Sequence, residues 1–226
     1  MSPSTTVVAI PDAVCVYCAS SMGNEPEFRE AAESLGRAIA NQKRTLVYGG
    51  GNRGLMGAVS AACRDAGGKT LGVIPRTIAE GGGEGSRKEE VMSIVAAETI
   101  VVDSMHQRKM IMAESADAGF IGLPGGFGTL EEVLEAITWT QLGIQKKPVV
   151  LLNVKGYYTP IRQLVQGGVT AGLIKPGYSG IVQIVDKPED DATFDWGEAA
   201  LKALANWAPP REGPLYTTWK SPLAES

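Results

Sequence analysis

The sequence predicts an α/β fold: one doubly wound parallel sheet with helices on both faces, in a single domain over residues 1–207, followed by a proline-rich tail over 208–226. Three observations predict it. Short apolar runs alternate with amphipathic helical patterns, the order that gives a parallel sheet covered on both sides. Two glycine-rich stretches, Gly49 to Gly57 and Gly125 to Gly128, each stand between a strand pattern and a helix pattern. No internal repeat or linker divides the 226 residues, a length that one large domain accommodates.

The elements follow in order. Val14 to Ala19 reads as the first strand, ending in Ser20-Ser21-Met22-Gly23-Asn24. Phe28, Ala31, Ala32, Leu35, Ala38 and Ile39 recur at helical spacing, so a helix runs from about Pro26 to Asn41. Thr45 to Tyr48 is the second strand. The first glycine turn leads into a helix through Ala66, stopped by Gly67-Gly68, and Thr70 to Ile74 is a strand closed by Pro75. Residues Arg76 to Val91 contain Glu80-Gly81-Gly82-Gly83-Glu84-Gly85 and read as a mobile loop over a site. Glu98 to Val102 is a short strand, and Asp103 or Ser104 caps a helix through about Ala118. Phe120 to Leu123 is a buried strand ending at Pro124. Beyond it Leu130, Val133, Leu134 and Ile137 fall at helical spacing, with Thr129 as the expected N-cap and Glu132 completing a capping box. Lys147-Pro148 introduces a strand over Val149 to Val154, Tyr157 to Val165 reads as helix, Ile181 to Val185 as the last strand, and Trp196 to Trp207 as the last helix. The tail has four prolines and is expected to wrap the surface or stay disordered.

Composition narrows the function classes. Net charge is −4 and the pI near 5.2, so no basic field holds nucleic acid or an anionic membrane. No apolar run reaches the ~20 residues of a membrane span, and the start of the chain lacks a basic region before its apolar run. A cytoplasmic protein is expected. Cys15 and Cys18 lie three apart on a strand and so face opposite sides of the sheet, which argues against a redox pair or zinc knuckle. Those two and Cys63, in an alanine-rich helical stretch, read as small buried apolar residues. Neither a metal nor a cofactor is expected.

A strand, a glycine turn and a helix N-terminus make an anion site, because the turn exposes backbone N–H groups and the helix dipole favours negative charge there. Phosphate is the expected occupant of the turn Gly125 to Thr129. Gly49, Gly51 and Gly54 also match G-x-G-x-x-G, the Rossmann dinucleotide fingerprint, but after the second strand. No strand-end acid follows about twenty residues on, Asp65 being the nearest. A mononucleotide fits better than a nicotinamide dinucleotide. Arg108 and Lys109 open the helix before the second glycine turn, one a planar fork and the other a point charge for phosphate or carboxylate. His106, the single histidine, reads as a structural hydrogen-bonder.

Met105-His106-Gln107-Arg108-Lys109 followed by Pro124-Gly125-Gly126-Phe127-Gly128-Thr129-Leu130-Glu131-Glu132 resembles the LONELY GUY family. Its pattern is MHxRK and then PGGxGTxxE. The glycine turn at Gly49 to Gly57, Ile137-Thr138-Trp139 and Leu151 to Tyr158 match as well, so the similarity spans roughly Val14 to Val185. The Gly81-Gly82-Gly83 loop looks longer than usual for the family, and the tail has no counterpart in it. The family's members are cytokinin riboside 5'-monophosphate phosphoribohydrolases with a Rossmann-like fold, many once labelled "possible lysine decarboxylase". The resemblance implies hydrolysis of the N-glycosidic bond of a nucleoside 5'-monophosphate to a free base and ribose 5-phosphate. It assigns Arg108 and Glu132 as the catalytic pair, Glu132 kept ionised by the helix dipole and by Arg108. Gly125, Gly126, Gly128 and Thr129 would hold the 5'-phosphate. Phe127, Glu131, Lys109 and Thr138 would line the nucleotide site, with Gly50, Gly51 and Met105 nearby. A homodimer is implied, with the helix around Glu135 to Leu142 as a candidate interface. The competing reading is a nucleotide-binding carrier or sensor of the same fold. A lysine decarboxylase is excluded, since no residue stands out as a Schiff-base lysine for pyridoxal phosphate.

Overall fold

The apolar runs form seven strands: β1 (Val14–Tyr17), β2 (Thr45–Tyr48), β3 (Lys69–Pro75), β4 (Thr99–Val102), β5 (Gly119–Gly122), β6 (Val149–Leu152) and β7 (Val182–Val185). In the computed structural model, which describes residues 9–80, 99–210 and 212–216, they make one sheet in the order β4-β3-β2-β1-β5-β6-β7. Every neighbouring pair is parallel. The helices are α1 (Pro26–Asn41), α2 (Gly54–Asp65), α3 (Arg76–Glu80), α4 (Met105–Ser115), α5 (Phe127–Leu142), α6 (Thr159–Thr170) and α7 (Trp196–Asn206).

Alternation along β1 divides the core in two. Val14, Val16 and Cys18 join α1, α2 and α7 on one face, while Ala13, Cys15 and Tyr17 join α4, α5 and Tyr158 on the other. The doubly wound sheet is therefore the observed fold, and the two cysteines point to opposite faces as their spacing required. All three cysteines are buried free thiols. The α1–α2 contact is close because Gly36 lacks a side chain: a Cβ there would stand 2.3 Å from the Val59 carbonyl oxygen. Leu35 and Ile39 beside it are fully buried, and truncating either to alanine costs about 2–5 kcal/mol.

Four expectations need correction. The first strand ends at Tyr17 rather than Ala19. Arg76–Glu80 is a short helix rather than loop, and the Gly81-Gly82-Gly83 segment lies outside the described residues. Between β6 and α6 a 3-10 turn, Val154–Gly156, intervenes, so α6 begins at Thr159 and runs to Thr170. The fourth concerns Thr129, which is not an N-cap. α5 starts at Phe127 with Gly126 as its cap, and its first intrahelical bond runs from the Leu130 N–H to the Gly126 carbonyl at 3.0 Å. Thr129 and Glu132 therefore form no capping box. Apolar periodicity could not register this earlier start, because Phe127 is 93% exposed and its neighbours are glycines. Ser104, by contrast, caps α4 as expected, its hydroxyl accepting from the Gln107 N–H at 3.1 Å.

Candidate active site

Strand order reverses between β1 and β5. Ligands of such sheets bind beyond the carboxyl ends of the strands at this point. A cavity of about 340 Å3 lies there, lined by the end of β1 with Ala19, Ser20 and Ser21, by Gly49 after β2, by α4 and by the start of α5. Its volume is at the lower end of the roughly 300–1,000 Å3 of small-molecule sites.

Arg108 reaches it from the first turn of α4 and is only 5% exposed. Its guanidinium is held by backbone: Nε donates to the Val73 carbonyl at 3.1 Å and Nη2 to the Gly49 carbonyl at 3.1 Å. Nη1 lies 3.9 Å from the Met105 sulfur, one helical turn back. A guanidinium has five N–H donors, so donors remain for a ligand. Gly49 is required for this arrangement, since a Cβ on it would sit 2.0 Å from Nη2.

Glu132 enters from α5 together with Gly128, Thr129 and Glu131. It stands in the second turn rather than at the N-terminus, and α5 has no acidic residue in its first turn. The dipole's influence fades within that first turn, so the expected dipole support for its charge is weaker than the sequence implied. Helical side chains tilt back toward the N-terminus, which directs the carboxylate toward the glycine turn. With Leu130 N–H the first to bond within the helix, the N–H groups of Phe127, Gly128 and Thr129 have no intrahelical acceptor. A Cβ on Gly126 or Gly128 would meet nothing within 4 Å, so nothing in the fold demands glycine at either. At Gly125 a Cβ would strike the Thr129 hydroxyl oxygen at 2.1 Å.

Tyr17 forms part of the floor, stacked on Phe120 with centroids 5.8 Å apart. Burial, with the nearby Cys15 and Glu132, pushes its phenol well above the usual range, so it stays neutral. Lys109 lies elsewhere. Its Nζ is 2.6 Å from Glu131 and 3.0 Å from Glu135, and although burial opposes its charge, these carboxylates raise its pKa above the ordinary 10.5.

Of the residues expected at the site, Arg108, Met105, Gly126, Phe127, Gly128, Thr129, Glu131 and Glu132 line this cavity. Gly125 lines an adjoining hollow of about 200 Å3 with Phe28, Leu55 and Tyr157. Lys109, Thr138, Gly50 and Gly51 line neither. Thr138 donates to the Leu134 carbonyl on the outer face of α5, and Gly50 packs under Ile74 with φ +77°. Sequence reasoning named Gly49 only as part of a glycine turn, with no role at the site, and missed Tyr17, Ser20 and Ser21 as site residues; the serines lie three and four residues past β1, where a switch-point argument could have found them. A hollow of about 650 Å3 between α1 and α2 is lined by Arg29, Glu33 and Arg37, the first two paired at 2.6 Å. Among the described residues no cluster of His, Cys, Asp and Glu could hold a metal, and no helix is long and apolar enough to cross a membrane.

A family model described as "Possible lysine decarboxylase" matches residues 56–193. A cytokinin riboside 5'-monophosphate phosphoribohydrolase of Arabidopsis thaliana is 48% identical over 163 residues, covering 72% of this chain and 71% of its own. Another from the same plant is 42% identical over 199 residues, covering 88% and 84%. Among solved structures, the molybdenum cofactor carrier protein of Chlamydomonas reinhardtii shares the fold with a TM-score of 0.58 at 24% identity, covering 88% of this chain and 98% of that one. A molybdenum cofactor binding protein from Rippkaea orientalis gives 0.53 at 25%, covering 80% and 93%. With 42–48% identity to phosphoribohydrolases over most of its length, and the family model matched across more than half of it, this chain belongs to the LONELY GUY family.

Proposed function

We propose that the chain hydrolyses the N-glycosidic bond of cytokinin riboside 5'-monophosphates, adenine nucleotides prenylated on the exocyclic amine, with unmodified AMP as a second substrate. The observation that carries this reading is the arrival of Arg108 and Glu132, from two different helices, on one cavity that also takes in the N-terminus of α5. The phosphate binds the N–H groups of the first turn of α5, where Gly126 and Gly128 leave room for it. As the bond from C1' to the base nitrogen breaks, positive charge spreads over the ribose ring, and the Glu132 carboxylate opposite stabilises it. Water adds to C1', giving a proton to that carboxylate, the bond electrons leave with the base nitrogen, and that nitrogen gains a proton from solvent as Glu132 gives its own back. Arg108, fixed by two carbonyls, orients Glu132 and the nucleotide.

We infer a homodimer as well. The outward side of α5 carries Phe127, Leu134 and Thr138, with Phe127 and Leu134 93% and 43% exposed, a stripe that a second copy would cover. Three reduced buried thiols suit a cytoplasmic setting. A carrier or sensor is the alternative. The carrier proteins of the same fold stand at 24–25% identity, the phosphoribohydrolases at 42–48%, which favours the hydrolase.

The test is chromatography of products from isopentenyladenosine monophosphate and, separately, AMP. Free base and ribose 5-phosphate, released faster from the prenylated nucleotide, are expected. Binding without free base from either substrate would overturn the hydrolase in favour of the carrier.

A further inference from the structure

The stretch that leads into the turn that would hold the phosphate is tied down by other parts of the chain. Three consecutive carbonyls each take a donor from another part of the chain. The Leu123 carbonyl accepts from the Tyr158 hydroxyl at 2.7 Å, the Pro124 carbonyl from the Ala19 N–H at 3.2 Å, and the Gly125 carbonyl from the Tyr157 hydroxyl. The two tyrosines come from one short segment after β6. Lys155 and Gly156 there have φ +55° and +75°, a left-handed pair that turns the chain sharply and delivers both rings toward β5. The segment is itself anchored. Asn153, 7% exposed, accepts from the Tyr158 N–H at 2.6 Å and donates to Asp186 at 2.6 Å and to the Thr159 hydroxyl at 3.1 Å. Edge-on ring contacts with Tyr158 at 5.2 Å and Phe28 at 6.1 Å fix Tyr157 laterally.

From this geometry we propose that Tyr157 is a positioning residue for the anion cradle, setting the orientation of the peptide between Gly125 and Gly126; the proposal rests on the phosphate-binding role given above to the start of α5. In a planar trans peptide the C=O and N–H point in opposite directions. Tyr157 lies on the adjoining hollow and Gly126 borders both hollows, so holding the Gly125 carbonyl on Tyr157 turns the Gly126 N–H toward the cavity. This peptide needs such a hold more than the others. It has glycine on both sides, and a flip that would carry a side-chain residue into the left-handed region is open to Gly126 at little steric cost. Flipped, the peptide would present a carbonyl oxygen to the phosphate and repel it. The glycines make room for the ligand, and the same freedom would spoil the site without the tyrosine.

Tyr157 makes the same kind of hydroxyl-to-carbonyl bond as Tyr158, but two residues further along, at Gly125 rather than Leu123, and the pair supplies its own control. AMP affinity is measured by calorimetry on wild type, Tyr157→Phe and Tyr158→Phe, with inorganic phosphate as competitor and thermal unfolding in parallel. Tyr157→Phe is expected to weaken AMP and phosphate alike by about three- to tenfold, the scale of one hydrogen bond, and to raise KM by a similar factor with kcat within about twofold. Tyr158→Phe, fully buried in wild type, is expected to lower the unfolding temperature and leave AMP affinity within about twofold. AMP affinity unchanged in Tyr157→Phe, or lowered equally in both variants, would overturn the proposal. If wild type binds AMP without hydrolysing it, the hydrolase reading fails while the affinities still decide the role of Tyr157. If wild type binds neither AMP nor phosphate, both fall.

Discussion

A single added carbon at Gly49 should separate catalysis from folding. Gly49 does not have a positive φ, so alanine is acceptable to its backbone. What it meets is Arg108: the new Cβ would lie 2.0 Å from Nη2 and 3.2 Å from Cζ, with the Met56 sulfur also at 3.2 Å. Non-bonded atoms settle at roughly 3.5 Å, so Nη2 has to withdraw by about 1.5 Å. Its 3.1 Å bond to the Gly49 carbonyl does not survive that movement. Because the obstructed atom is the far end of a flexible side chain, the guanidinium moves and the sheet does not. The stability cost is then one hydrogen bond to a charged group, about 1.5–3 kcal/mol. The catalytic cost is larger. A misplacement of about 1 Å can cost on the order of 100-fold in rate, near 2.7 kcal/mol of barrier. Gly49→Ala is therefore expected to fold, with a lowered unfolding temperature, and to lose about 100-fold in kcat for nucleotide hydrolysis measured by base release. Wild-type kcat in a folded Gly49→Ala protein would refute the reasoning, because the position of Arg108 would then be irrelevant to turnover.

Three further outcomes are expected. Glu132→Gln keeps the shape of the side chain and loses its charge, so AMP affinity by calorimetry should stay within a few-fold while kcat drops by at least about 100-fold; turnover like wild type would remove Glu132 from the mechanism. Gly128→Ala meets no protein atom, so its unfolding temperature should hold or rise, since alanine is favoured over glycine in helices by up to about 1 kcal/mol. Its AMP affinity should fall if the phosphate takes up that space as proposed, and unchanged affinity would place the phosphate elsewhere. Burial pushes the Cys63 thiol from 9.0 up to about 11, against a smaller pull from Arg64. The unfolded chain therefore ionises first as pH rises, and the thiol's contribution, complete below pH 9, is lost between pH 9 and about 11. The stability difference between wild type and Cys63→Ala should narrow by about 2–3 kcal/mol over that window in denaturant titrations, at about 1.4 kcal/mol per pH unit; a constant difference would sink the assignment.

Strands and helices were legible because burial leaves a periodic record: β1 shows it in Val14 and Val16 on one face and Cys15 and Tyr17 on the other, and α1 in Leu35 and Ile39. The start of α5 left no such record. Phe127 points into solvent, Gly126 and Gly128 have no side chains, and the helix began where the pattern was silent. Arg108 and Glu132, singled out by residue type, both line the cavity, but pairing decided the place of Lys109, whose ammonium is held by Glu131 and Glu135. The supports escaped the sequence altogether. Gly49 and Val73 hold Arg108 through backbone carbonyls, which every residue possesses, so no side-chain pattern could single them out. Tyr157 lies about thirty residues from the carbonyl it binds, and only strand order brings the two together.

The chain beyond the last helix also meets α5, at the end opposite its glycine turn. The Leu215 N–H donates to the Gln141 carbonyl at 3.1 Å and the Tyr216 N–H to the Leu142 carbonyl at 3.2 Å. Gly143, left-handed at φ +85°, lets the segment pass so close that a Cβ would stand 2.4 Å from the Tyr216 oxygen. The helix that carries Glu132 is thus finished by residues outside the stretch the family model matches. A fragment cut after Trp207 would keep all seven strands and the described cavity, yet leave the last turn of the helix that carries Glu132 to fray in water. For this chain, the hydrogen bonding carries the working unit at least to 215–216, past the stretch that the family model matches.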